Sequence, residues 1–214
     1  MQIEALIICA GYSSRMNEFK PLMKFEGLPF ILHIIFKLSR HCDKVHIVTG
    51  YRTEDIRKEL NGWFHQQPET AWLEKIDGSD EEWSSLHTKV NYIFHPDFDQ
   101  GMFSSLKTGL FSCQYADWIL YHFVDQPHIP GEFYNSFIEQ ISDAFNWIQP
   151  CYQQRRGHPI LFHQSLFPEI LQADNSGSLY QISQNSAIKK KLWDCPYPQI
   201  LQNFNSPSDL QPGV

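Results

Sequence analysis

Apolar residues along this chain change period several times, and each change predicts an element. Residues 5–9 form an unbroken apolar run of strand length that stops at Ala10 and Gly11. Phe30, Ile31, Ile34, Ile35 and Leu38 recur at i, i+1, i+4, i+5 and i+8, which makes one apolar helix face. Residues 44–49 (KVHIVT) alternate and are rich in β-branched side chains, so they predict a second strand, ended by Gly50. Thr53, followed by Glu54 and Asp55, predicts an N-cap and an acidic first turn for a short helix over 53–60. Strand, helix, strand, helix is the rhythm of a parallel α/β sheet.

Residues 61–88 break that rhythm with Gly, Pro, an acidic cluster and three tryptophans. They predict an irregular, solvent-facing excursion whose tryptophans tuck back against the domain, in preference to a flap over a substrate. A strand follows at 89–94 and a helix at 102–111. Residues 117–124 (DWILYHFV) predict a central strand that delivers Asp125 to its carboxyl end, where open α/β sheets bind ligands. Pro127 and Pro130 stop it, and a helix is predicted over 132–144. Strands at 147–152 and 159–163 flank a polar loop. The tail predicts short helical pieces to residue 191, with Lys189, Lys190 and Lys191 as a solvated helix end, and a strand over 199–204.

Composition narrows the class. The 214 residues, 42% hydrophobic and 14% aromatic, suffice for one packed domain over 1–214. A net charge of −7 argues against a general nucleic-acid or anionic-membrane surface, and no apolar run has membrane-spanning length. The five cysteines are scattered and never spaced as CxxC, which fits reduced thiols rather than a disulfide framework or zinc site. The opening MQIEALIICAG lacks a basic n-region. These features together predict a cytoplasmic protein.

Candidate chemistry begins in the loop after the first strand. Small residues ending a strand let backbone N–H groups converge on an anion, and Arg15 and Lys20 add two cations. The loop is neither a Walker A loop nor GxGxxG. By spacing alone it serves equally as a nucleotide cradle of another type or as a surface turn with two solvated cations. Asp125 suits a hard divalent cation bridging protein and phosphate oxygens, or equally the cap of the following helix. His122 and His128 flank it and are expected in the core or at the surface rather than in catalysis. Cys9 and Cys113 read as small core residues.

Four blocks in order carry a resemblance. AGYSSRMNEFKPLMKFEGLPFI resembles the signature LAAGxSxRMGxxKxLLxxxGxPxL of the molybdenum-cofactor cytidylyltransferase and guanylyltransferase group. HPDFDQGMFSSLKTGL resembles NPxWxxGMxxSLxxGL, VDQPHIP resembles DQPxxxP, and PCYQQRRGHPILF resembles PxYxGxxGHPxLF. The resemblance implies a three-layer α/β/α sandwich with a mostly parallel sheet, of glycosyltransferase-A-like fold. It implies that Ala10, Gly11, Tyr12, Ser13 and Ser14 hold nucleotide, with Gly101, Ser104 and Ser105 on the same side. Arg15 and Lys20 would bind the triphosphate, Asp125 would hold Mg²⁺, and Gly157, His158 and Pro159 would lie near the acceptor. The implied reaction moves CMP from CTP to the phosphate of molybdopterin cofactor, with a molybdoenzyme as partner. Phe19 before Lys20, where the guanylyl type carries Asp, and CAG in place of LAGG favour CTP. Two departures stand out: Asn17 replaces a glycine, and Asn205 replaces the aspartate expected as second metal contact, which would bind Mg²⁺ more weakly. Transfer to a sugar, alditol or choline phosphate, or a low-turnover nucleotide-binding chaperone, is the alternative.

Overall fold

Strand β1 (Ile3–Cys9) is buried at all seven positions. This computed structural model describes residues 1–13, 18–76, 78–205 and 209. After β1 comes a small antiparallel hairpin, β2 (Lys24–Phe25) and β3 (Leu28–Pro29), which turns at Glu26 and Gly27 with φ of 51° and 93°. It feeds α1 (Phe30–Ser39), a helix buried along its whole length. Then come β4 (Lys44–Thr49), α2 (Thr53–Phe64), α3 (Thr70–Lys75), α4 (Asp80–Lys89) and β5 (Val90–Phe94). Helix α5 (Met102–Leu110) leads into β6 (Trp118–Phe123) and α6 (Gly131–Ile138). The final third holds β7 (Trp147–Tyr152), β8 (Arg155–Arg156), β9 (Ile160–His163), α7 (Phe167–Gln172), α8 (Leu179–Ser183) and β10 (Lys190–Asp194).

The principal sheet runs β10-β7-β9-β6-β1-β4-β5, with β8 paired to β7. Strand β1 is parallel to β4 and β6, β4 to β5, and β10 to β7. Only β9 and β8 reverse among these pairings, β9 against both β6 and β7. Alternate residues of β1 serve opposite faces, as a period of two requires. Ala5, Ile7 and Cys9 pack with α1, α2 and α6, while Leu6 and Ile8 pack with α5, α7 and α8. Covering both faces makes the three layers and explains why β1 is apolar from Ala5 to Cys9. The chain leaves β1 towards β4 and later returns to β6 on the other side. That reversal opens a crevice beyond the carboxyl ends of β1 and β6.

Several expectations are corrected. Helix α2 continues to Phe64, and Thr53 does not cap it: Arg52, at φ 53°, holds the cap position while Thr53 Oγ1 donates to Gly50 O at 2.9 Å. Residues 61–88 are mostly helical. Ser79 and Glu82 form a reciprocal capping box that starts α4 inside what reads as a mere acidic cluster. Trp63 and Trp83 are buried, and Trp72 meets Trp63 edge-on at 4.8 Å, so this segment packs against α1 and α2. Helix α6 stops at Ile138, six residues before the expected end, and Gln140 O instead accepts from Lys191 Nζ. Lys190 and Lys191 belong to a strand, not a helix end, because they pair with Trp147 and Ile148 of β7. The strand expected over 199–204 is a 3-10 turn, Pro198–Leu201, followed by an extended tail; the Gln126 side chain donates to Ile200 O in the turn and to Gln202 O in the tail. Among the described residues no helix is long and apolar enough to cross a membrane.

Candidate active site

The crevice is built from three distant parts of the chain. The loop after β1 is tied down where Tyr51 N–H donates to Ala10 O at 2.9 Å. Gly11 faces space: a Cβ there would meet nothing within 4 Å, so the backbone is open to an incoming group. Ser13 adopts a left-handed φ of 57°, and its Oγ accepts from Lys20 N–H at 3.2 Å, which closes the loop on itself. Lys20 then points its ammonium at two partners. Nζ stands 3.5 Å from Asp125 Oδ2 and donates to Asn205 Oδ1 at 2.9 Å.

Asp125 follows β6 by two residues. Its Oδ1 is buried and has no hydrogen-bond partner among the described residues, which is costly for a carboxylate unless something else meets it. Burial raises the Asp125 carboxyl above its usual range, and the Lys20 ammonium pulls the other way. The tail is fixed at the same point, since Phe204 N–H donates to Asp125 O at 2.9 Å. The Phe204 ring packs with Phe25, Phe30 and His128. Asn205 is thereby delivered opposite Lys20.

These groups line a cleft of about 510 Å³, together with Gly101, Ser105, Phe98, Phe123 and Asn203. Gly101 has a φ of 104°, which favours glycine, and open space where a Cβ would project. A second cleft of about 380 Å³ adjoins the first and shares Gly101, Met102 and Phe123 with it. Its walls include Phe103, Tyr121, His158 and Tyr180. The His158 ring lies 4.2 Å from that of Phe123, and burial lowers its pKa to about 4, so it is neutral near pH 7.

The positions named from sequence divide accordingly. Gly11, Ser13, Lys20, Gly101, Ser105, Asp125 and Asn205 converge on the first cleft, and His158 on the second. Ala10, Tyr12 and Ser104 are not in either lining. Ala10 is buried behind the loop, Tyr12 is 54% exposed with its ring against Tyr51 and Phe98, and Ser104 Oγ donates inward to Gly101 O at 2.7 Å. Gly157 and Pro159 are buried beneath His158; a Cβ on Gly157 would stand 2.5 Å from Ile200 O. Ser14, Arg15 and Asn17 lie outside the described residues.

His122 is a core histidine. It donates from Nδ1 to Phe123 O, accepts from Tyr134 Oη at 2.8 Å, and is held by burial at a pKa of about 3. Sequence reasoning missed Phe98, Met102, Phe123 and Asn203 as lining. Phe98 and Met102 sit inside the block around Gly101, so their neighbours were the available signal. Cys9, read as core, is buried and also borders the first cleft; burial, then Asp125, raises its thiol pKa, which leaves it a poor nucleophile. Among the described residues one other group could hold a metal by composition: Glu4, His46 and Cys113, with ligand atoms within 4.8 Å. Glu4 lies at the opposite end of β1 from the crevice and is already paired with His46 at 2.8 Å.

Comparison with known proteins gives the family and the fold. Molybdenum cofactor cytidylyltransferase of Escherichia coli K12 is 23% identical over 179 residues, covering 84% of this chain and 79% of the relative. A nucleotidyl transferase from Methanothermobacter thermautotroptrophicus superposes with a TM-score of 0.71 at 19% identity, over 97% of this chain and 94% of that one. A protein of Mycobacterium tuberculosis H37Rv, solved in complex with manganese, gives 0.64 at 16% identity, over 96% and 95%. Residues 5–190 match the MobA-like NTP transferase domain, and the chain belongs to that family of nucleotidyltransferases.

Proposed function

We propose that the protein transfers CMP from CTP to the phosphate of molybdopterin cofactor and releases pyrophosphate. The observation that supports this acceptor most directly is the second cleft. Rings of Phe103, Tyr121, Phe123, His158 and Tyr180 line one part of it, and Gln100, Asn175, Ser176 and Ser178 add polar side chains. The rings suit stacking on a planar heteroaromatic group, and the polar side chains suit its ring substituents and phosphate. The cytidylyltransferase among the relatives supports the base, as does Phe19 in place of an aspartate before Lys20.

The acceptor phosphate attacks the α-phosphorus in line, and no protein nucleophile is needed. The chain's part is positioning and charge. Open backbone at Gly11 and Gly101 lets the triphosphate approach closely, and Lys20 meets charge that shifts towards the leaving pyrophosphate. Arg15 is assigned to the same triphosphate on its motif. The buried, unpartnered Asp125 Oδ1 and the amide oxygen of Asn205 are oxygen donors of the kind Mg²⁺ takes, so these two residues would hold the cation. When bound, Mg²⁺ would neutralise triphosphate charge; the manganese complex of the mycobacterial protein supports a divalent cation in this fold. All five cysteines are free and buried, which suits a reducing cytoplasm, where the product would pass to a molybdoenzyme.

The test is a matrix of CTP, GTP, ATP and UTP against molybdopterin cofactor and a sugar, an alditol and a choline phosphate, with pyrophosphate release and nucleotidylated product as readouts. CTP with the cofactor is expected to give the highest kcat/KM. A higher value for GTP overturns the base, and one for a polyol phosphate overturns the acceptor.

A further inference from the structure

Asp125 begins a segment, DQPHIP over 125–130, in which Pro127 and Pro130 have no N–H to donate. The segment is anchored from outside at three points. Phe204 N–H donates to Asp125 O, and the Gln126 amide donates to Ile200 O and Gln202 O at 3.1 and 3.2 Å. Phe204 and Gln202 lie on the extended tail, and Ile200 on the 3-10 turn that precedes it. The third comes from the core: Lys37 Nζ donates to Pro127 O at 2.7 Å and to Ile129 O at 2.8 Å.

Lys37 is an unusual residue for its place. Helix α1 is buried at every position and otherwise largely apolar, and Lys37 is only 8% exposed. Its ammonium is met by two carbonyls, with Glu26 and Glu132 acting on it only through longer-range charge. Burial lowers its pKa to about 8. A buried ammonium satisfied by carbonyls is expensive compared with an apolar side chain of the same length. The two charge-assisted bonds it makes fix the carbonyls two and four residues beyond Asp125. Helix α1 continues directly from the hairpin that follows Lys20, so one rigid element is linked at its start to the Lys20 segment and near its end to the Asp125 segment.

We propose that Lys37 is a positioning residue: by gripping the Pro127 and Ile129 carbonyls it sets where the Asp125 carboxylate stands relative to Lys20. The choice of activity to measure rests on the nucleotidyl-transfer reading above; the structural claim does not. The test compares the full-length parent with Lys37→Met, which keeps the stem and removes the donors, and Lys37→Arg, which restores two donors. Lys37→Met is expected to fold, to bind Mn²⁺ about tenfold more weakly, and to lose about 10- to 100-fold in kcat with the acceptor KM unchanged. Amide exchange at Phe204, whose N–H donates to Asp125 O, should quicken while α1 stays protected, and Lys37→Arg should recover part of each effect. If Lys37→Met fails to fold, Lys37→Gln, a neutral donor on a shorter stem, carries the same measurements. Unchanged exchange at Phe204 overturns the proposal. So does exchange that quickens equally in α1, which marks a merely structural lysine. A parent that binds no Mn²⁺ and transfers no nucleotide would instead defeat the functional reading, and the exchange experiment would still decide the role of Lys37.

Discussion

Lys20 donates a hydrogen bond to Asn205 across 185 positions of sequence, Nζ to Oδ1 at 2.9 Å, while standing 3.5 Å from Asp125 Oδ2. One ammonium is therefore shared between a carboxylate and an amide at the mouth of β1 and β6. An amide oxygen brings a ligand dipole without a formal charge, so it contributes less to a divalent cation than a carboxylate in the same place. Asn205→Asp is expected to tighten Mn²⁺ binding by about tenfold, which corresponds to about 1.4 kcal/mol. Titration of the protein with Mn²⁺ measures it, and equal or weaker binding rules the residue out as a ligand.

Lys20 and Asp125 should matter for turnover more than for folding. Both sit at the edge of the cleft, and neither belongs to the apolar clusters on the two faces of the sheet. In the proposed reaction Lys20→Ala would remove the cation that meets developing pyrophosphate charge, with an expected loss on the order of 10²–10³ in kcat. Asp125→Ala is expected to lose at least as much. Either variant retaining full turnover with an unchanged circular dichroism spectrum would falsify the assigned roles.

How far the sequence could be read depended on the range of the interaction. Strand β1 and helix α1 were legible because their apolar periods are local and strong. Helix α4 was not, because Ser79 and Glu82 are camouflaged by Asp80 and Glu81, and only the reciprocal bonds reveal the capping box. The site shows the same limit. Ser104 and Ser105 were both expected on the nucleotide side although only Ser105 stands on the block's serine; one residue along a helix is a turn of about 100°, which sends Ser104 inward to His95 and leaves Ser105, whose Oγ also donates to Gly101 O at 3.3 Å, on the cleft. Tyr12 follows Gly11 directly but is drawn away by Tyr51 and Phe98. The junction of Lys20 with Asn205 depends on the tail crossing Asp125, and no local pattern encodes that crossing.

Gly157 shows what the GHP segment does physically. A Cβ at this position would lie 2.5 Å from Ile200 O and 2.7 Å from Ile200 Cγ1, so the glycine lets the tail pass directly beneath His158. Backbone cannot yield as a flexible side chain can. Gly157→Ala is expected to cost about 1–3 kcal/mol. It should also push the tail away from Gln126, raising the acceptor KM. A thermal melt and acceptor titration check both, and an unchanged Tm would mean that the tail relaxes freely.

Stability should depend on pH through histidines held neutral. Burial lowers the pKa of His122 to about 3 and of His128 and His158 to about 4, and it lowers His46 as well, against the opposing pull of Glu4. Each group is easier to protonate in the unfolded chain, where its pKa is about 6.5. Between about pH 6.5 and pH 4 the unfolded state therefore binds more protons, so stability is full above that window and is lost as pH falls through it. Asp125 acts in the opposite sense, since its raised pKa favours folding at low pH, but it is one group against six, because burial lowers His41 and His95 as well. The expected result is a Tm constant from pH 8 to 7 that drops by about 5 °C or more between pH 6.5 and pH 5. Calorimetry across that range decides it: a flat Tm down to pH 5 would mean these rings take up protons without opening the structure.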